Sequence, residues 1–270
     1  MFTIREYAMP ETLDEAYTIL KSRKGNQILG GCAWLRLGKK RINTAVDLSK
    51  CGLDYIREDE EKIEIGAMTS YRSVETSDIL KQYFNGVIAD SISSIIGTQF
   101  RNTVTVGGSV YGRFGFSDFL TPLLALDTTV VLYKEGSVPL EEFMVMPYKK
   151  DIIEKIVIAK DERKASYQMF RNSRADFPVL NLAISKAVDG SFRVTVGARG
   201  PKAVRAERTA AYLTEQLGSG NGNIEDIIKE AGHILADEVV FTDNMRASAA
   251  YRKILSAVLL GKAVREVETC

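Results

Sequence analysis

Two glycine-rich stretches are the places where this chain can hold a ligand by its backbone. One runs Ile28-Leu29-Gly30-Gly31-Cys32-Ala33-Trp34, the other Thr105-Val106-Gly107-Gly108-Ser109-Val110-Tyr111-Gly112. Each follows a short strand-like run. Neither has the spacing of a Gly-x-Gly-x-x-Gly dinucleotide fingerprint or of a Walker A loop. Without a Cβ, however, successive main-chain N–H groups can converge on an anion, and two such nests can grip the two phosphates of a dinucleotide from opposite sides. Spacing alone fits two plain tight turns as well.

Most other chemistries are excluded by what the chain lacks. His233 is the only histidine, and it falls in a predicted helix among Ile227, Ile228, Ala231 and Ile234, where a surface or interface role is expected. A Ser-His-Asp triad on Ser117 and Asp118 therefore has no base at hand. Cys32, Cys51 and Cys270 are the three cysteines. They include no Cys-x-x-Cys pair, so no disulfide framework, iron–sulfur cluster or zinc site is expected. Cys32 reads as a small buried hydrophobe or a redox-sensitive thiol, and Trp34 as core packing or a stacking surface for a ring. Lys plus Arg number 36 and Asp plus Glu 35, a formal net charge of +1. That balance argues against a sequence-blind nucleic-acid binder. The first residues have no basic segment followed by an apolar stretch, and no run approaches the roughly 18 apolar residues of a membrane span. The expectation is a cytoplasmic protein with no membrane and no nucleic-acid partner.

The elements that must position the glycine stretches are well punctuated. The 270 residues, 45% of them apolar and 26% charged, suffice for one to two domains with a full core. Thr12 and Glu15 stand at capping-box spacing, Leu13, Ala16, Tyr17 and Leu20 share one helical face, and Gly25 is the expected stop. Strands are expected at 28–29, near 45–48 and at 62–67, with the acidic run 58–61 as a solvated hairpin tip. A helix over about 87–96 and a buried helix over 120–126 are followed by strands at 130–133 and 152–158. Past 160–164 the texture changes. Strands at 167–170, 179–188 and 192–196 read as an antiparallel meander with Asp189-Gly190 as a turn. Three amphipathic helices follow near 206–217, 223–236 and 246–260, with 218–222 as an irregular loop. Strands then helices indicate a second, α+β domain from about residue 164.

The second glycine stretch lies in a longer block that resembles a known family. From Arg101-Asn102 through Thr105-Val106-Gly107-Gly108 to Phe116-Ser117-Asp118-Phe119 and Pro122-Leu123-Leu124-Ala125-Leu126-Asp127, the chain resembles the FAD-binding (medium) subunit of molybdenum hydroxylases. This is the xanthine dehydrogenase and carbon monoxide dehydrogenase family. Leu29-Gly30-Gly31 sits where that family has its first FAD loop. Tyr167-Gln168-Met169-Phe170-Arg171, leading to Arg174-Ala175-Asp176-Phe177, is similar to the opening of its C-terminal domain. Ala250-Tyr251-Arg252 resembles a late-helix signature. The resemblance implies an α+β fold. A two-lobed FAD-binding domain of the vanillyl-alcohol oxidase/PCMH type would cover 1–163, with lobes of about 1–55 and 56–163. A C-terminal domain of the CO dehydrogenase flavoprotein type, an antiparallel sheet with a helical bundle, would cover 164–270.

The same resemblance implies an electron-transfer subunit of a hetero-oligomer. Electrons would come from 2Fe–2S clusters on one partner subunit, fed by a molybdopterin-binding subunit, and pass through FAD to NAD or another acceptor. Ile28, Leu29, Gly30, Gly31, Cys32, Ala33 and Trp34 would wrap the pyrophosphate through backbone amides. Thr105, Gly107, Gly108 and Ser109 would form a second cradle, the two hydroxyls adding donors, with Tyr111 and Gly112 along the same loop. Asp118 matches an acidic position near the adenosine ribose, assisted by Ser117, and Ile95 and Ile153 match apolar positions near the flavin. No catalytic acid or base and no metal ligand is implied on this chain.

Several positions depart from the family. Relatives carry Gly-Gly-Thr-Asp where this chain has Gly30-Gly31-Cys32-Ala33-Trp34, Asn is common at Ser109, and some place a lysine by the flavin near Met169. Arg171 and Arg174 would face the iron–sulfur partner or a nicotinamide phosphate, or form ordinary salt bridges. The altered first loop leaves open an assembly subunit with weak or lost FAD binding. A stand-alone flavin oxidoreductase of the same cofactor-binding fold is the third reading.

Overall fold

The computed structural model describes residues 2–218 and 222–269. They fall into two compact units. The first holds the described residues of Met1–Ser77 with Gly97–Gly112 and Thr128–Ala159. The second holds Asp78–Ile96 and Arg113–Asp127 with the described residues of Lys160–Cys270. The second unit thus takes in two segments that precede residue 163.

In the first unit the strands are β1 (Thr3–Ala8), β2 (Gln27–Leu29), β3 (Arg41–Asp47) and β4 (Ile56–Glu58), then β5 (Lys62–Gly66), β6 (Thr128–Leu132), β7 (Gly136–Pro139) and β8 (Ile153–Ala159). A parallel sheet has the order β1-β3-β2, and an antiparallel one the order β4-β5-β8-β6-β7. Parallel pairing needs a crossover, which helix Leu13–Ser22 supplies between β1 and β2. Its Thr12 hydroxyl accepts from the Glu15 N–H at 3.2 Å, as the spacing predicted. The helix stops at Ser22, short of Gly25. Gly25 packs against Asn43 instead: a Cβ there would lie 2.6 Å from Asn43 Nδ2, the tip of a side chain that can turn aside. In the antiparallel sheet Ile63, Ile65, Val130, Ile156 and Ile158 are fully buried at alternate positions, the signature of one face turned to a core. The acidic hairpin tip closes on Asp59, whose Oδ1 accepts from the N–H of Glu61 and of Lys62, both at 2.9 Å.

The second unit carries β9 (Lys164–Phe170), β10 (Leu180–Lys186), β11 (Phe192–Gly197) and β12 (Val204–Arg205), antiparallel in the order β12-β11-β10-β9. Gly190 takes φ 84° at the predicted turn, a left-handed conformation that glycine adopts at no steric cost. Helices Glu207–Gly218, Ile224–Glu238 and Ala249–Thr269 bury Leu213, Leu235, Leu259 and Leu260 with Leu182, Ile184, Val194 and Val196 of the sheet. The last helix outruns the predicted 246–260. Of the expected 218–222 loop, residues 219–221 lie outside the described residues, as does Cys270. His233 is exposed.

Segments 87–93 and 120–125 are buried helices of this unit. The first ends at Ser93, leaving Ile95 and Ile96 beyond it. Thr195 Oγ1 donates to Thr121 O at 2.8 Å and Ser185 Oγ to Ala125 O at 2.5 Å, joining the 120–125 helix to the sheet.

Arg252, from the late-helix signature, is 1% exposed. It donates to Val179 O (2.8 Å), Ala247 O (3.0 Å) and Asn244 Oδ1 (2.6 Å), and also to Thr242 O. The guanidinium thus gathers three main-chain carbonyls and one side-chain amide oxygen around a buried charge. Arg252→Met is expected to cost about 2–4 kcal/mol, because four acceptors around a buried position lose a charged donor at once. Urea unfolding measures this, and a loss under about 0.5 kcal/mol, the scale of an ordinary surface substitution, contradicts it. Among the described residues no helix is long and apolar enough to cross a membrane, and no group of three or more His, Cys, Asp or Glu could hold a metal ion.

Candidate functional site

The two glycine stretches meet in the first unit, and Thr105 joins them. Its Oγ1 accepts from the Gly31 N–H at 3.4 Å and from the Gly108 N–H at 3.3 Å. Neither glycine of the first stretch has room for a side chain. A Cβ on Gly30 would lie 2.8 Å from Thr105 Oγ1 and 3.4 Å from Gly108 Cα. One on Gly31 would lie 1.7 Å from Thr103 O. The chain approaches itself this closely only because both residues are glycine. Among the described residues the N–H groups of Cys32 and Ala33 have no acceptor, so they remain donors for a ligand or for water. With both Thr105 lone pairs engaged, its hydroxyl proton is left to donate in turn.

The second stretch is not a turn after a strand. Residues Thr98–Thr103 and Val106–Gly112 are short helices, and Gly107 and Gly108 lie in the first turn of the latter. Tyr71 N–H donates to Val104 O (2.9 Å), Val106 N–H to Thr69 O (2.9 Å) and Gly107 N–H to Ala67 O (2.7 Å). The first two bonds form an isolated antiparallel bridge between Ser70 and Thr105, so the extended part of Thr103-Val104-Thr105-Val106 is confined to Val104 and Thr105, between the two short helices. Gly107 is therefore a packing glycine: its N–H is engaged, and a Cβ would meet Ala67 Cβ at 2.7 Å. Gly108 is exposed, and a Cβ there would meet only Thr105 Oγ1, at 3.0 Å. The Ser109 hydroxyl donates to Thr105 O at 3.0 Å, so it offers a ligand acceptor lone pairs rather than the expected donor.

The remaining first-unit positions divide simply. Ile28 and Leu29 are half-buried at the end of β2, Ala33 is half-buried, and Ile153 is buried at the start of β8. Trp34 is 43% exposed, which rules out the core-packing reading. Tyr111 is exposed, and Gly112 O accepts from the Tyr148 hydroxyl at 3.2 Å. Cys32 takes φ 55°, a left-handed conformation that residues other than glycine rarely adopt, and its thiol donates to Gly30 O at 3.2 Å. Burial, and then the Asp47 carboxylate, push the Cys32 thiol above its ordinary range. It is thus the reverse of an activated thiolate. Iodoacetamide at pH 7.5 is expected to alkylate Cys32 several-fold more slowly than free cysteine, whereas faster labelling would contradict this.

In the second unit Asp118 sits in a buried polar cluster that sequence reasoning did not assemble. Its carboxylate accepts from the Tyr167 hydroxyl and pairs with Arg171, Nη2 to Oδ2 at 2.8 Å, both side chains 7% exposed. Asn181 Nδ2 donates to the Tyr167 hydroxyl at 3.1 Å and to Ser117 O at 3.4 Å. Arg171 Nη1 donates to Ser94 O at 3.2 Å and Asp176 O at 3.4 Å, and among the described residues its Nε has no hydrogen-bond acceptor. The Nη2–Asp118 contact is an ion pair without hydrogen-bond alignment. Burial raises the Asp118 carboxyl above the usual aspartate range despite Arg171, and burial with the adjacent Asp118 charge lifts the Tyr167 phenol well above its own. The salt-bridge reading of Arg171 is the one the fold displays. Arg174 is exposed, Met169 is half-buried on β9, and Ile95 is half-buried.

An α+β first unit carrying a main-chain cradle, with an antiparallel sheet covered by helices in the second, defines the class. Residues 2–160 match the family described as the FAD binding domain in molybdopterin dehydrogenase, and residues 165–267 match the CO dehydrogenase flavoprotein C-terminal domain. The chain belongs to this family, the FAD-binding medium subunits of molybdenum hydroxylases. It is similar to the glyceraldehyde dehydrogenase medium chain of Sulfolobus acidocaldarius, 24% identical over 279 residues that cover 97% of each chain. It is also similar to the 6-hydroxypseudooxynicotine dehydrogenase complex subunit alpha of Paenarthrobacter nicotinovorans, 24% identical over 268 residues, 92% of this chain and 88% of that one. The solved structure of reconstituted CO dehydrogenase from Oligotropha carboxidovorans shares the fold. The TM-score is 0.87 at 19% identity, over 100% of this chain and 99% of that one.

Proposed function

We propose that the chain is the flavin-carrying electron relay of a hetero-oligomeric, xanthine dehydrogenase-like enzyme. It would accept electrons from a 2Fe–2S subunit paired with a molybdopterin-binding subunit and pass them to NAD or another acceptor, in the cytoplasm. The observation that carries this reading is the cradle. Gly30 and Gly31 let backbone come within contact distance of residues 103–108. The Cys32 and Ala33 N–H groups and the Thr105 hydroxyl are donors of the kind a pyrophosphate takes.

Because those donors are mostly main chain, the absent threonine and aspartate of the family's first loop do not remove the site. This weighs against the reading as an assembly subunit without cofactor. Ile28, Leu29 and Trp34 flank the first loop, and Gly108, Ser109, Tyr111 and Gly112 follow Thr105. Ser117 and Asp118 are assigned to the ribose, where Asp118 would serve a sugar hydroxyl through the lone pairs that Tyr167 and Arg171 leave over. Ile95 and Ile153 are assigned to the flavin. FAD supplies the redox chemistry, and this chain supplies binding, orientation and electrostatics.

The test is made on the purified complex under anaerobic conditions. Oxidisable substrate should bleach the flavin absorbance, and NAD or an artificial acceptor should restore it. Clusters that are reduced while the flavin stays oxidised would contradict the relay.

A further inference from the structure

Two exposed tyrosines stand at the far end of the helix that begins with the cradle. Tyr111 is 46% exposed and Tyr148 60% exposed. Their centroids are 5.4 Å apart at an interplanar angle of 57°, the tilted geometry that aromatic pairs favour. The Tyr148 hydroxyl donates to Gly112 O at 3.2 Å, so the loop that carries it is fastened to the end of helix Val106–Gly112. Gly108 and Tyr111 are three residues apart on that helix, which places them on one face about 5 Å apart along the axis. Nothing in the cradle needs an aromatic residue at 111, and a solvated helix end would ordinarily carry a polar side chain there.

We propose that the Tyr111–Tyr148 pair is a stacking platform for one ring of the bound dinucleotide, with Tyr111 as the contact face and Tyr148 as its brace. The proposal rests on the cradle reading above. In a dinucleotide a sugar separates each phosphate from its ring, so a ring lies several ångströms from a phosphate held near Gly108. A tyrosine one helical turn further on is at that range. Its face offers a flat, polarisable surface at little conformational cost. Tyr148 limits the rotamers of Tyr111 before any ligand arrives, which favours binding by preorganisation.

The test uses the full chain reconstituted with FAD, reading both the dissociation constant and the fluorescence of the bound flavin. Stacking on a nucleobase-sized ring is expected to make Tyr111→Leu bind about tenfold more weakly, with Tyr111→Phe close to wild type. Tyr148→Leu should give a smaller loss of the same sign. A flavin packed on tyrosine is quenched by electron transfer from the phenol, so brighter bound flavin in Tyr111→Leu assigns the platform to the isoalloxazine. Unchanged brightness with weaker FAD binding, but unaltered FMN binding, assigns it to the adenine. Wild-type affinity and brightness in Tyr111→Leu would overturn the proposal, as would a Tyr111→Phe variant as weak as Tyr111→Leu. A folded wild-type chain that takes up no FAD is a different failure, that of the cradle itself. Should Tyr111→Leu fail to fold, Tyr148→Leu decides alone, since its side chain is the more exposed.

Discussion

Arg171→Ala is expected to cost about 3–5 kcal/mol of stability at neutral pH, the usual consequence of removing one partner of a buried ion pair. The size follows from the site. Both side chains of the Arg171–Asp118 pair are 7% exposed, so the stranded carboxylate cannot recover its hydration. Ser94 O and Asp176 O also lose their Nη1 donor. The loss should shrink in acid. Burial already raises the folded-state pKa of Asp118 above its unfolded value. A group raised in this way gives stability that is present below the unfolded pKa and lost as pH rises through the folded one. Without Arg171 the folded value rises further, so the protonated carboxyl spares the variant at low pH and the penalty grows toward neutrality. Urea unfolding of both proteins at pH 4.5 and 7.5 measures this, and a penalty that is equal at both, or larger in acid, contradicts it.

Gly31→Ala is expected to abolish tight FAD binding, by roughly 100-fold or more, and to cost stability at the upper end of the roughly 1–3 kcal/mol of an overpacked site. The added Cβ would sit 1.7 Å from Thr103 O and 2.6 Å from its carbon, and both are backbone atoms that no rotamer can move aside. The loop must therefore leave residues 103–105, breaking the Gly31 N–H contact to Thr105 Oγ1 and displacing the Cys32 and Ala33 amides. FAD titration with thermal unfolding separates the two effects. Affinity within about threefold of wild type would show that the loop has room which the geometry denies it.

The fold was legible where local chemistry and hydrophobic period agree. The Thr12 cap, the alternating isoleucines of β5 and β8, the Asp189-Gly190 turn and the three late helices can all be read along the chain. It was illegible where long-range contacts decide. The β-branched run 103–106 looks like a strand, yet only Val104 and Thr105 are extended, in a single antiparallel bridge to Ser70, and short helices flank them on both sides. In the site, the two glycine pairs announced close approach, but nothing in their spacing showed that Thr105 would join them. Asp118 and Arg171 stand far apart in sequence, and no periodicity pairs them. What could have hinted at the pair is Tyr167 on β9 with Arg171 directly after that strand, since buried polar groups need partners.

The central claim, that the two glycine stretches form a cradle for the FAD phosphates, is tested most directly by titrating wild type, Gly108→Ala and Gly108→Asp with FAD. Gly108 is exposed, and a Cβ there meets only the Thr105 hydroxyl, so both variants should keep the fold and its unfolding temperature. The expected result is near-normal binding by Gly108→Ala and loss of the flavin bands in Gly108→Asp, where a carboxylate opposes the phosphates. A folded Gly108→Asp protein that binds FAD as tightly as wild type would contradict the claim.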